Sequence, residues 1–329
     1  MKRIILLVAI TLAVACKSAD ATGYTVVEIS SNSKDNVYAL NNNGWVTIST
    51  VLGYMQSEMS LWVNGSRMKI GVAGFGTNSP RHLNDYNEVA GDYGTGQPFF
   101  YMPGRGIFTI PRSGNFTGLN NSGFATMFSS LKVMESSAYN LRDNMELPFP
   151  ANRRGLFSTV HLEDISNTNV LAGYMVTKEK SGVSENAFVF YKQKFIYLKG
   201  GKGAKALFIN DNNWVVGTAN GKIMLWRSFY KNPIIIANGL PLGINNRNQV
   251  FGYGWIWENE TMVPSINILS DIPGYSNYTE CGIVDINDRG QILAKVSDNA
   301  GGIKSILVKP KEGLSLPSKS AVFQALVRK

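Results

Sequence analysis

One five-residue phrase returns seven times along this chain of 329 residues, at intervals of about forty. It consists of an apolar residue, then Asn, then Asn or Asp, then any residue, then Gly or Asn. It reads Leu40-Asn41-Asn42-Asn43-Gly44, Leu83-Asn84-Asp85-Tyr86-Asn87, Leu119-Asn120-Asn121-Ser122-Gly123 and Ile165-Ser166-Asn167-Thr168-Asn169. It continues as Ile209-Asn210-Asp211-Asn212-Asn213, Ile244-Asn245-Asn246-Arg247-Asn248 and Ile286-Asn287-Asp288-Arg289-Gly290. A period of this length belongs to solenoids, propellers and arrays, so it narrows the fold before any single residue is interpreted.

The phrase has a backbone meaning. Its fifth position is Gly44, Asn87, Gly123, Asn169, Asn213, Asn248 or Gly290. These are the two residue types that best tolerate positive φ. The second position, Asn or Ser, bonds the backbone two residues on and starts a turn. A type I turn followed by a left-handed residue makes the hairpin loop with a G1 bulge. Two residues beyond each tip stands an apolar residue (Val46, Val89, Ala125, Leu171, Val215, Val250, Ile292). Two further on stands Ile48, Gly91, Met127, Gly173, Gly217, Gly252 or Ala294. That is the period-two pattern of a strand with one buried face, and its glycines imply close approach of another backbone or sheet.

The fifth unit displays a whole module: Ala206–Ile209, Trp214–Thr218, Ile223–Trp226 and Pro233–Ala237 read as four short strands, the content of one propeller blade. The third unit is longer, with an extended loop expected over Ser129–Ser137. The last unit supplies only three strands, and Tyr24–Ile29 precedes the first phrase unassigned. The expected fold is therefore all-β: a seven-bladed β-propeller of four-stranded antiparallel blades spanning 24–310, closed by pairing the N-terminal strand with the last blade. An open β-solenoid is the alternative.

The phrase, followed by an Ala-Phe-type strand such as Ala187-Phe188-Val189-Phe190 or Ala138-Tyr139-Asn140-Leu141, resembles the HAF-type extracellular repeat. The resemblance runs from about Tyr24 to Pro310, with Asn in place of Gly at four tips and the later Gly missing from units one, three and seven. It implies a secreted bacterial protein and supplies no catalytic residues.

The N-terminus agrees with export. Lys2-Arg3 precedes the apolar stretch Ile4–Ala15, which is too short to span a bilayer as a mature helix, so 1–21 reads as a signal peptide. Leu12-Ala13-Val14-Ala15-Cys16 resembles a bacterial lipobox, with lipidation expected at Cys16; ordinary cleavage after Ala21 is the alternative. Either event leaves Cys281 as the only internal thiol, so no intrachain disulfide is expected. Residues 311–329 form a basic C-terminal tail.

A hydrophobic content of 44% is enough to build a continuous core. The formal charge of +9 is not arranged in a nucleic-acid motif, and its densest cluster is Lys192, Lys194, Lys199, Lys202 and Lys205, expected on the outer edge of the fourth blade. Lysines guard edge strands, and they also attract anionic glycans or phosphate groups. Gly200-Gly201-Lys202-Gly203 lacks the spacing of a phosphate loop. His82 and His161 are too few and too far apart for a zinc site. Asp85, Asp211 and Asp288 sit one per tip, too few oxygens for calcium, and read as turn formers. No metal, cofactor or enzymatic activity is expected. Trp62, Tyr101, Tyr191, Trp226 and Trp257 recur at third-strand ends and should pack between blades. Trp45, Trp214 and Trp255 break that register and, with Lys192 and Lys194, are expected to form a ligand rim.

These features point to a monomeric, exported binding or scaffold module at the bacterial cell envelope. Its partner would be an envelope protein or an anionic glycan, with membrane contact through a lipid on Cys16. A carbohydrate-active enzyme with acidic residues in the channel is the alternative.

Overall fold

The computed structural model describes residues 23–311, apart from 54–55, 75–77, 95, 112, 130–134, 148–157, 180–181 and 271. Residues 1–22, Cys16 among them, and those beyond Lys311 lie outside the described residues, so the expected signal peptide and basic tail fall there. Within them the chain forms seven four-stranded antiparallel sheets, each with its strands in sequence order except the last. We number the blades 1 (residues 35–74), 2 (79–109), 3 (115–146), 4 (158–202), 5 (205–238), 6 (243–264) and 7 (278–310 with 24–30). The first strand of each blade touches the first strands of both neighbours, and blade 7 returns to blade 1, so the sheets close into a propeller around a central channel.

Closure uses both ends of the described chain. The strand Tyr24–Ser30 pairs with Ile303–Pro310 as the outer strand of blade 7, in register Tyr24↔Pro310 through Glu28↔Ile306. The neighbouring seam is sealed by Asp35 of blade 1, which accepts hydrogen bonds from Ser30 Oγ (2.5 Å), Thr50 Oγ1 (2.6 Å) and Arg67. Burial alone would push the Asp35 carboxyl up, but these donors outweigh it and hold the group below the usual carboxylate range.

A single blade cannot cover both of its faces, so the cores lie between blades, one at each of the seven seams. Between blades 4 and 5, Ala172, Ala187 and Val189 meet Ala206, Val215 and Trp226. Trp62, Tyr101, Trp226 and Trp257 are buried here as third-strand anchors, whereas Tyr191 is exposed. Removing a ring such as the fully buried Trp226 would cost about 3–5 kcal/mol.

The small residues past the tips answer to a bulge in the inner strand. In blade 4, Leu162 pairs with Gly173 and Asp164 with Ala172, leaving Glu163 as the extra residue. The bulged strand folds over Gly173, where an added Cβ would collide with the carbonyl oxygen of His161. Gly217 lies in the same way beneath Lys205, and Gly91 beneath Ser79; at Gly252 the occupant is the Trp255 indole. The approaching backbone thus belongs to the same sheet.

Two expectations change. The third strand of blade 3 already begins at Glu135, inside the stretch read as a long loop; residues 130–134 lie outside the described set. Lys205 is not on the outer edge of blade 4. It opens the inner strand of blade 5 and reaches back to Glu185 at 3.1 Å.

Candidate functional site: the channel mouth

The seven phrases meet at one end of the channel. Every fifth residue has positive φ: Gly44 76°, Asn87 62°, Gly123 77°, Asn169 59°, Asn213 61°, Asn248 63° and Gly290 73°. The turns close as the phrase requires. In blade 1 the Gly44 N–H donates to the Asn41 carbonyl (3.0 Å), while Asn41 Oδ1 accepts from the N–H groups of Asn43 (3.1 Å) and Trp45 (2.9 Å). Together the tips line a polar cavity of about 210 Å³.

The second-position side chains stitch each tip to the next. Asn41 Nδ2 donates to the Asn84 carbonyl (3.0 Å), Asn84 to Asn120 (3.0 Å) and Asn120 to Ser166 (3.0 Å). Asn210 donates to Asn245 (2.9 Å), Asn245 to Asn287 (3.0 Å), and Asn287 back to Asn41 (2.8 Å). Ser166 has no amide, so the stitch from blade 4 to blade 5 is missing.

The second amide hydrogen explains the choice between Gly and Asn at the fifth position. Where the next blade carries Asn there, that side chain accepts it: Asn41 to Asn87 (2.8 Å), Asn120 to Asn169 (2.8 Å) and Asn210 to Asn248 (2.7 Å). Where the next blade carries Gly, the residue after the donor's own tip accepts instead. These pairs are Asn84 to Glu88 (2.6 Å), Asn245 to Gln249 (2.6 Å) and Asn287 to Gln291 (2.7 Å). Glu88 is held in turn by a two-pronged contact from Arg142 (2.8 and 2.9 Å).

The third-position residues form a second ring, in the order Asn42, Asp85, Asn121, Asn167, Asp211, Asn246, Asp288. Each accepts, through Oδ1, the backbone N–H of its predecessor, at 2.6–2.8 Å around all seven links. Amide also donates to carboxylate: Asp85 Oδ2 accepts from Asn42 (3.0 Å) and Asn121 (2.9 Å). Asp211 accepts from Asn167 (2.9 Å) and Asn246 (2.8 Å), and Asp288 from Asn42 (2.9 Å) and Asn246 (3.0 Å). An odd ring cannot alternate throughout, and the break falls at Asn121–Asn167, two amides side by side. The three carboxylates bind the ring itself, and the described residues hold no cluster of three or more His, Cys, Asp or Glu suited to a metal ion.

Just below the tips, two inner-strand carboxylates seal seams. Asp164 Oδ2 accepts the Ile209 N–H (2.9 Å) and Asp285 Oδ2 the Leu40 N–H (2.8 Å). Burial raises both, Asp164 to about 7 and Asp285 to about 6, although the backbone donors pull the other way. Sequence reasoning had only their place before a tip to go on; what marks them is an inner-strand edge with no ladder partner. His82 does the same work in blade 2, with Nε2 at 3.1 Å from the Phe116 carbonyl oxygen, and burial lowers it to about 4.

A second titratable group lies nearer the other end of blade 4. His161 stacks between Phe128 (centroids 4.8 Å apart) and Tyr174 (4.5 Å), and Lys205 Nζ stands 5.0 Å over Tyr174. Burial lowers His161 and raises the bulged Glu163 to about 7, with Lys205 opposing the latter. The thiol of Cys281 is buried in blade 7, and burial pushes it up to about 11, away from nucleophilic use.

The expected rim of Trp45, Trp214, Trp255, Lys192 and Lys194 is not brought together. The three indoles are half-buried in the seams between blades 1 and 2 and between blades 5 and 6, Trp214 beneath Arg227 at 5.0 Å. Lys192 sits in the positive-φ turn before the outer strand of blade 4, and Lys194 begins that strand.

No family model and no curated protein matches the sequence. Among solved structures the chain is similar to the WD40 β-propeller domain of Doa1, at 13% identity over 91% of this chain and 99% of that one, with a TM-score of 0.46. It is also similar to the extracellular domain of the putative one component system BT4673 from B. thetaiotaomicron, at 11% identity over 86% of this chain and 39% of that one, TM-score 0.49. A third is XC5397 from Xanthomonas campestris, a gluconolactonase, at 9% identity over 90% and 92%, TM-score 0.37. The sheet topology by itself establishes the propeller architecture.

Proposed function

We propose that this chain is an exported binding or scaffold module of a bacterial cell envelope, a diverged HAF-type repeat protein tethered by lipid at Cys16. One observation carries the reading: tip after tip is hydrogen-bonded to its neighbours, so the ring is a stiff platform. Its channel-facing side chains serve mainly to hold that platform together. Such a frame suits the display of loops and edges to a partner. The basic and apolar leader ending in a lipobox-like Cys16 supports delivery to the envelope. Labelled palmitate should enter the wild-type protein and not Cys16→Ser, which high salt should strip from membranes that retain the wild type. Retention of Cys16→Ser on salt-washed membranes together with unlabelled wild type would reject the tether.

A second reading is a carbohydrate-active enzyme. It is favoured by Glu163, a carboxyl raised to about 7 beside Lys205 and Tyr174, since a general acid needs such a value near neutrality. A screen for glycoside hydrolysis that Glu163→Gln abolishes would establish it; silence across such a screen would leave the binding module as the reading.

A further inference from the structure

Residues 186–257 contain nine Lys and Arg against one acid, Asp211, a net +8 of the chain's formal +9. Asp211 is committed to the channel mouth, whereas Lys194, Lys199 and Lys202 lie on the outer strand of blade 4 and Lys231 in the connection that enters the outer strand of blade 5. Lys205, Arg227 and Arg247 face Glu185, Glu260 and Glu258. Lys194, Lys199, Lys202 and Lys231 are exposed and form no ion pair among the described residues.

The two edges are contiguous. The Lys199 N–H donates to the Phe229 carbonyl at 3.0 Å, and Gly200 packs on Pro233, so the lysine strand Lys194–Lys202 abuts the entry to Ile234–Asn238. That second strand has an unpaired outer edge and not one charge, unlike a guarded edge. Around it Tyr230 is 70% exposed, Ile235 57% and Leu240 69%.

We propose that this joint edge of blades 4 and 5 docks on an anionic lipid surface. The lysines meet phosphate headgroups, Tyr230 lies at headgroup level, and Ile235 and Leu240 enter the acyl boundary. Lysines alone would serve any polyanion, but an acidic glycan offers the aliphatic side chains nothing. A second copy is disfavoured because edge-to-edge pairing would bring two strongly positive flanks together. The proposal is independent of lipidation at Cys16.

The test uses the full chain carrying Cys16→Ser, co-sedimented with vesicles of phosphatidylethanolamine and phosphatidylglycerol, or of phosphatidylcholine alone. Binding should favour the anionic vesicles by about tenfold or more and fall with added salt. Lys199→Glu with Lys202→Glu should lower it by about tenfold or more. Ile235→Ser with Leu240→Ser should lower vesicle binding several-fold while leaving retention on dextran sulfate unchanged. All these side chains are exposed, so melting curves should match the parent. Equal binding to both vesicle types, binding to neither, or a serine pair that binds vesicles like the parent would overturn the proposal, the last marking a general polyanion surface.

Discussion

Gln291 of the last blade leans over Gly44 of the first: its Oε1 lies 3.2 Å from where a Cβ on Gly44 would stand, and it accepts Asn287 Nδ2 at 2.7 Å. In blades 1, 3 and 5 the equivalent amide hydrogen goes to an Asn on the next tip. The two solutions are therefore interchangeable as pairs and not singly. Gly44→Asn crowds Gln291, and Gln291→Val strands an amide hydrogen, so each should cost about 1–3 kcal/mol. The double substitution rebuilds the Asn arrangement and should recover about 1 kcal/mol or more of the summed loss. Denaturant unfolding of the four proteins measures that coupling, and strict additivity would refute the exchange.

Ser166→Asn should stabilise the protein. The following tip already carries Asn213, as the tips after Asn41, Asn120 and Asn210 carry theirs, so both new amide hydrogens have acceptors waiting. A gain of about 1 kcal/mol, seen as a higher melting temperature, is expected. A loss would mean that the Ser166 Oγ contact with the Val170 N–H (3.2 Å) matters more than the stitch.

Stability should decline as pH rises from about 4 to about 7. Burial lifts Asp164 to about 7 and Asp285 to about 6 in the folded state, from an ordinary 3.8. Across that window the folded chain holds more protons than the unfolded chain, and stability then falls with rising pH. The contribution is complete below the unfolded value and gone above the folded one. His82 works against this over most of the window, since its depressed value of about 4 removes stability as pH drops from 6.5, while Glu163, raised to about 7, adds to the decline. Asp164→Asn with Asp285→Asn should flatten the decline between pH 5 and 8, as followed by melting temperature. An undiminished slope would show that other groups cause it.

Gly217→Ala should be severely destabilising, by about 3 kcal/mol or more, because the new methyl group meets the fixed carbonyl of Lys205 rather than a side chain that can move. Gly53→Ala, with nothing within 4 Å of its added carbon, should be near neutral in the same assay. Similar behaviour of the two would discount the bulge as the reason for glycine.

Much of the fold was legible because a hairpin tip with positive φ admits few residue types, so a backbone need left a mark in the letters. The closing strand was legible too, since blade 7 had three strands and Tyr24–Ile29 was left over. The faces of the Trp residues were not. Trp45 and Trp214 directly follow a tip, where period-two reasoning points them away from their own sheet's buried side, yet the neighbouring blade covers that side as well. Lys205 was misplaced because lysine spacing runs unbroken across the boundary between blades 4 and 5. The second-position network was invisible for another reason: one Gly-or-Asn choice depends on a side chain arriving from the preceding blade, and no local window contains both.

The Asn121–Asn167 break has a consequence for any idealised version of this molecule. Seven copies of one consensus unit could not reproduce the mouth, since no single letter is both amide and carboxylate, and two letters cannot take turns around an odd circle. A six- or eight-unit relative could be perfectly periodic. This protein must instead carry one amide–amide boundary in that ring, set apart from the stitch that Ser166 leaves out between blades 4 and 5.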